Sequence, residues 1–381
     1  MTQGKGIAIL LGLLFAGIFI MNIDIEKLRN TFEGTEILQN SPETEGEYIQ
    51  EQFTSFISQH QKSYEHVPEL EKRYNIFQSN LQMIKEHNKN AKMHGYTLKM
   101  NKFGDLTNEE FAATYLKPIG EDDVVTFSEK SNVSREMAED FFGDSKTEKA
   151  IKNLQIPSNV DWKAKGAVTH IRDQGKCHGY WAFASIAAIE GSNFIRRKKN
   201  ETLSEQQIID CVNGGDFKSD GFNGGVLHEV FDYAKKSDLC AAEDYEWSGE
   251  QGTCTAWWSC STDNYVKSWR TVPEHSRFEL YSAIAEGPVA LTIDAASDQF
   301  RFYSSGIFGS DCQEEKNHAV AAVGYGTNSW FMFWNNHYVN LKNSWGQDWG
   351  EKGFMRISSN FEEGKGMCGI YREAVIPTVP S

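Results

Sequence analysis

Positive charge is scarce in this chain: 38 lysines and arginines stand against 53 aspartates and glutamates, for a formal net charge of −15. Neutralising phosphates takes a basic surface, so a nucleic-acid partner is excluded. Long apolar runs are scarce as well. The N-terminal run, Ile7 to Met21, has 15 residues without a charged or polar side chain, short of the roughly 20 that a permanent membrane span needs. No internal repeat and no low-complexity tract is present, which removes repeat architectures and biased linkers from consideration. Cys177 and His178 have no second ligand pair at zinc spacing, so no metal site is expected, and no cofactor either.

What is present is ordinary for a folded protein. Hydrophobic residues make up 40% and charged residues 24% of 381 positions, far from the compositional corner where chains stay disordered. That length suggests two or three folding units. Lys5 before the apolar run, with Asn22 and Asp24 after it, reads as a signal peptide or signal anchor over residues 1–23; a buried core helix is the remaining alternative. The run ends in Ile18-Phe19-Ile20-Met21, without the small residues that signal cleavage prefers. Residues 24–47 are acidic, lack a sustained period and read as a linker. The sequons Asn132-Val133-Ser134 and Asn200-Glu201-Thr202 are compatible with a secretory route.

The next segment has helical spacing. Glu69, Arg73, Phe77, Asn80, Ile84 and Asn88 are separated by steps of four, four, three, four and four, which places all six on one helical face. Spacing alone describes any amphipathic helix packing Phe77 and Ile84. The residue identities resemble the pattern of papain-like, cathepsin L-like inhibitor propeptides at all six positions. Asn101-Lys102-Phe103-Gly104-Asp105 is similar to that family's second propeptide motif, with Lys99 where the motif usually has glycine. The inhibitor-type propeptide is accordingly expected over 48–116. A polar connection with acidic clusters, expected to be exposed and open to nicking, follows over 117–155.

The C-terminal part, expected as a peptidase domain over 156–381, carries three further motifs. Asp173-Gln174-Gly175-Lys176-Cys177-His178-Gly179-Tyr180-Trp181-Ala182-Phe183 resembles the papain signature. Asn317-His318-Ala319-Val320 with Val323-Gly324-Tyr325-Gly326 resembles the segment of the general-base histidine. Lys342-Asn343-Ser344-Trp345-Gly346 resembles the one whose asparagine orients that histidine under a shielding tryptophan. The resemblance implies an oxyanion-hole role for Gln174, the base role for His318, the orienting role for Asn343, and substrate contacts at Gly224, Gly225 and Trp345. At the position where the family has its nucleophilic cysteine stands Tyr180. A thiolate is reactive because a helix N-terminus and an imidazolium lower its pKa. A phenol titrates near pH 10 and holds its oxygen at the far end of a rigid ring. A simple hydrogen bond between His318 and Tyr180 is one possible relationship of the pair.

Seven cysteines in a secreted chain imply three bridges and one thiol left over. The resemblance pairs Cys211 with Cys254 and Cys312 with Cys368, and adds Cys240 with Cys260, while Cys177 finds Phe222 where its usual partner would be. It implies an α+β, papain-like two-lobe fold with one helical and one β-barrel-like lobe, preceded by a helical propeptide. The functional expectation is an inactive peptidase homologue, a pseudopeptidase that keeps a cleft for a peptide or protein ligand. The chain's own propeptide would cover that cleft, and the protein would be a monomer in the secretory pathway, extracellular or lysosomal. The alternatives are an active secreted or lysosomal cysteine endopeptidase, with Cys177 as a substitute thiol, and a storage protein.

Overall fold

The computed structural model describes residues 45–120, 156–256, 260, 263–309, 312, 315–329 and 335–381. The apolar N-terminal run, the acidic linker up to residue 44 and the sequon at Asn132 lie outside the described residues. Among the described residues no helix is long and apolar enough to cross a membrane.

Residues 45–86, with 102–107, form one compact unit. Helix α1 (Glu45–Gln59) buries Ile49, Phe53 and Phe56, which recur at steps of four and three. Helix α2 (Val67–Lys89) buries Leu70, Phe77, Asn80 and Ile84. The Phe77 ring packs against Phe53 at 5.2 Å and Phe56 at 5.1 Å. Asn80 is buried because its amide satisfies two carbonyls, Gly104 at 2.9 Å and Leu106 at 3.0 Å. Arg73 pairs with Glu69 one turn earlier and reaches the Asp105 carbonyl at 2.8 Å.

The described residues within 87–101 and 108–381 form the second unit. Its longer helices, among the described residues, are α3 (Asn108–Tyr115), α4 (Tyr180–Arg197), α5 (Glu205–Cys211), α6 (Leu227–Ala234) and α7 (Arg277–Glu286). Its strands are β1 (Tyr96–Leu98), β2 (Val160–Asp161), β3 (Ser268–Thr271), β4 (Val289–Ile293), β5 (Tyr303–Phe308), β6 (His318–Ser329), β7 (Asn335–Lys342), β8 (Phe354–Ser358) and β9 (Ala374–Thr378). They join in the order β1-β5-β8-β7-β6-β4-β9-β3, with β2 paired to β6. All pairs are antiparallel except β5 with β8. Edge strand β1 comes from the segment resembling the propeptide and lies on β5, with Tyr96 opposite Gly306.

Helix α4 is the axis of this unit. Ile186 and Ile189 are fully buried among Ile208 and Ile209 of α5 and Val230 and Phe231 of α6. Its other side meets β4 and β6. Gly191 makes that approach possible, because a Cβ there would stand 2.4 Å from Pro288 Cγ. Three disulfides, Cys211–Cys254, Cys240–Cys260 and Cys312–Cys368, tie the loops, and Cys177 remains a buried free thiol.

Candidate active site

Tyr180 is the first residue of α4, immediately after Gly179. Its register is set by Trp181, whose indole N–H donates to the Gly221 carbonyl at 3.3 Å. Gly225 lets that ring lie flat, since a Cβ there would fall 2.5 Å from Trp181 Cε2. The Tyr180 ring, 1% exposed, meets the His318 imidazole edge to face, with centroids 5.3 Å apart. Its hydroxyl donates to the Lys117 carbonyl at 3.3 Å.

His318 opens β6, and Asn343 follows the last residue of β7; the antiparallel pairing of these strands brings the two side chains together. Asn343 Oδ1 lies 2.8 Å from His318 Nε2 and also accepts the Ser344 N–H at 2.8 Å. That second donor identifies the atom facing the imidazole as oxygen, so the proton sits on Nε2 and Nδ1 carries the lone pair. Nδ1 has no hydrogen-bond partner. Trp345 covers the imidazole at 4.7 Å. Burial pushes the His318 pKa down to about 4, against the opposing pull of the Asn343 hydrogen bond, so the ring is neutral at physiological pH.

Gln174 is fully buried, and its side-chain amide donates to the Cys177 carbonyl at 2.6 Å while its oxygen accepts from Ser344 Oγ at 2.6 Å. Ser344 is thus a bridge between Gln174 and Asn343 that the sequence motif contained without revealing. The Cys177 thiol turns to the Phe222 carbonyl at 3.7 Å, and burial pushes its pKa up to about 12. Among the described residues no group of three or more His, Cys, Asp or Glu side chains could hold a metal ion.

Residues 108–120 lie against this constellation. Phe111 of α3 stands edge-on to Trp345 at 5.3 Å, with the Arg301 guanidinium over its ring at 5.7 Å. Lys117 N–H donates to the Asn317 carbonyl at 3.0 Å, and Ile119 N–H donates to the Lys316 carbonyl at 2.8 Å. Residues 117–119, expected within an exposed connection, are therefore engaged with the loop leading into His318. The hydrogen bond imagined between Tyr180 and His318 is replaced by a ring contact, because the phenol oxygen points away to Lys117. Of the residues considered for substrate contact, Gly224 lies beside Lys117 and Tyr180, Gly225 supports Trp181, and Trp345 is buried under Phe111. Lys117 and Ile119 were missed by sequence reasoning. The signal was Pro118, which pushes its predecessor to an extended conformation and lacks the one N–H that a strand bonded through 117 and 119 would turn away.

Comparison with known proteins fits this geometry. Residues 156–378 match the model of the papain family of cysteine proteases, and residues 53–111 match the cathepsin propeptide inhibitor domain. Cysteine protease XCP2 of Arabidopsis thaliana is 38% identical over 329 residues, covering 86% of this chain and 86% of that protein. Among solved structures, a recombinant stem bromelain precursor superposes with a TM-score of 0.74 at 30% identity, over 88% of this chain and all of that one (100%). A digestive procathepsin L 3 of Tenebrio molitor superposes with a TM-score of 0.72 at 30% identity, over 87% of this chain and 99% of that one. This chain belongs to the papain family of cysteine proteases and carries the family's inhibitor propeptide ahead of the peptidase domain.

Proposed function

We propose that this protein is a catalytically inactive papain-family homologue that acts by binding an extended peptide or protein segment in its cleft. The observation that carries the reading is Tyr180 at the head of α4, against His318, where the family resemblance calls for a cysteine. Hydrolysis there needs a thiolate and an imidazolium. A phenol cannot stand in, and an imidazole with its pKa near 4 is a weak base for any hydroxyl. His318, Asn343, Gln174 and Trp345 would then be retained as walls of a binding groove, with Gly224 and Gly225 on its opposite side.

The rival, an endopeptidase working through Cys177, is disfavoured by that thiol's burial, its contact with the Phe222 carbonyl and a pKa near 12. We further propose an inhibitor-type propeptide over 48–116, a peptidase domain from 156, and a signal peptide or anchor over 1–23. Passage through the secretory pathway, to the extracellular space or a lysosome-like compartment, is supported by three disulfides and by the exposure of the sequon residue Asn200.

The test compares the natural chain with Tyr180→Cys, each incubated at acidic pH to allow processing and then given fluorogenic peptides and a thiol-directed active-site probe. The expected result is turnover and labelling by the variant alone. Thiol-dependent turnover by the natural sequence overturns the proposal.

A further inference from the structure

Lys117 is held from both sides. Its N–H donates to Asn317 at 3.0 Å, and its carbonyl accepts from the Tyr180 hydroxyl at 3.3 Å. Two residues on, the Ile119 N–H donates to Lys316 at 2.8 Å. The donors at 117 and 119 meet the adjacent acceptors at 317 and 316, so two main-chain bonds tie the segment to the chain entering β6. Pro118, between them, has no N–H to leave unpaired. Ile119 packs close to Tyr180, Val226, Leu227, Ala319 and Glu373 and adds to the core cluster there.

The wall opposite is shaped for this strand. Gly224 has φ +113, and a Cβ built there would lie 3.1 Å from Lys117 Cδ and 3.4 Å from the Tyr180 oxygen. A Cβ at 224 would crowd the Lys117 side chain and touch the Tyr180 oxygen, and the left-handed backbone there favours glycine in its own right. A short side chain at 180 would not reach the Lys117 carbonyl; the length of the phenol is what closes the bracket.

We propose that Tyr180 is a peptide-recognition residue: its hydroxyl donates to a main-chain carbonyl of the strand in the groove, and the chain's own residues 116–119 are the resident strand. The ligand class is an extended peptide that offers a main-chain carbonyl to Tyr180, with no N–H required at the position after it. The inference deepens the reading of the cleft as a binding groove, and it gives the tyrosine a function in place of the one it lacks.

The test is segment-resolved hydrogen exchange on the full chain and on Tyr180→Phe, which keeps the ring and removes only the hydroxyl. Exchange over residues 116–120 is expected to quicken roughly twofold to tenfold, the range for loss of one hydrogen bond, with residues 181–190 of α4 unchanged. An unchanged rate over 116–120 overturns the proposal. So does equal quickening of both segments, or a variant that fails to fold, since the hydroxyl would then support the helix rather than the strand. Exchange does not depend on turnover, so this test and that of the inactive cleft fail separately.

Discussion

The aromatic ring of Tyr180 stands edge to face with the imidazole of His318 at 5.3 Å, and the phenol oxygen is directed past it to the Lys117 carbonyl. A base and an acidic hydroxyl therefore lie side by side without exchanging a proton. The imidazole keeps Nε2–H for Asn343 and leaves Nδ1 without a hydrogen bond inside an aromatic enclosure of Tyr180 and Trp345. Such a site costs stability when the ring is charged.

That cost sets a pH dependence. The His318 pKa falls from its ordinary 6.5 to about 4 on folding, because burial outweighs the Asn343 hydrogen bond. Between these values the unfolded chain binds the proton and the folded chain does not, so stability is lost as pH falls from about 6.5 towards about 4, by about 3 kcal/mol. Urea midpoints measured at pH 7 and pH 4.5 should fall less in His318→Gln than in the natural chain. Equal falls in the two proteins would contradict the buried neutral imidazole.

Cys177 is expected to be inert while the chain is folded. With its pKa pushed to about 12 by burial, about one thiol in ten thousand is ionised at pH 8. Iodoacetamide at that pH should leave residue 177 unlabelled by mass spectrometry, and labelling should appear in urea. Complete native labelling within minutes would mean an open, activated thiol and would revive the hydrolytic alternative.

Asn80 in α2 is a polar residue in an apolar row, kept there by the carbonyls of Gly104 and Leu106. Asn80→Ala leaves both acceptors buried without this donor, at a cost of about 1–3 kcal/mol. Chemical denaturation followed by fluorescence reads the loss. A change below a few tenths of a kcal/mol would show that other donors replace the amide.

Helical spacing made α2 legible from Glu69 to Asn88, because local periodicity carries it. The motif around Asn343 likewise brought Ser344 and Trp345 into view as neighbours in sequence. Their cross-chain partners were hidden. Asn80 reaches residues 24 and 26 positions away, and Asn101 donates to the Arg301 carbonyl across 200 positions. Lys117 and Ile119 read as exposed because the acidic stretch after them dominated local composition, while their acceptors at 317 and 316 lie in another part of the chain. The edge-to-face setting of Tyr180 on His318 was equally invisible, since spacing says which residue starts a helix but not where its ring turns.

Beneath α4 lies an ionic cluster that separates buried from exposed charge. Arg172 bridges Glu190 at 2.8 Å and Glu205 at 2.7 Å, whose side chains are 1% and 3% exposed, and Lys342 donates to Thr169 at 2.7 Å beside them. Burial drives Glu205 above the usual carboxylate range despite Arg172; at Glu190, Arg172 and Lys342 overcome burial and hold the carboxyl below it. Removing Arg172 leaves Glu190 with Lys342 alone and Glu205 without its buried guanidinium partner, so Arg172→Met should destabilise the fold by about 3–5 kcal/mol. Arg270 pairs with Glu286 at 2.6 Å on the surface, where water screens both ends, and Arg270→Ala should change stability by about 1 kcal/mol or less. Denaturation midpoints at pH 7 compare the two directly. If Arg172→Met were as mild as Arg270→Ala, Glu205 would have to take up a proton in the variant at little cost, and raising the pH to 9 should then expose the full penalty.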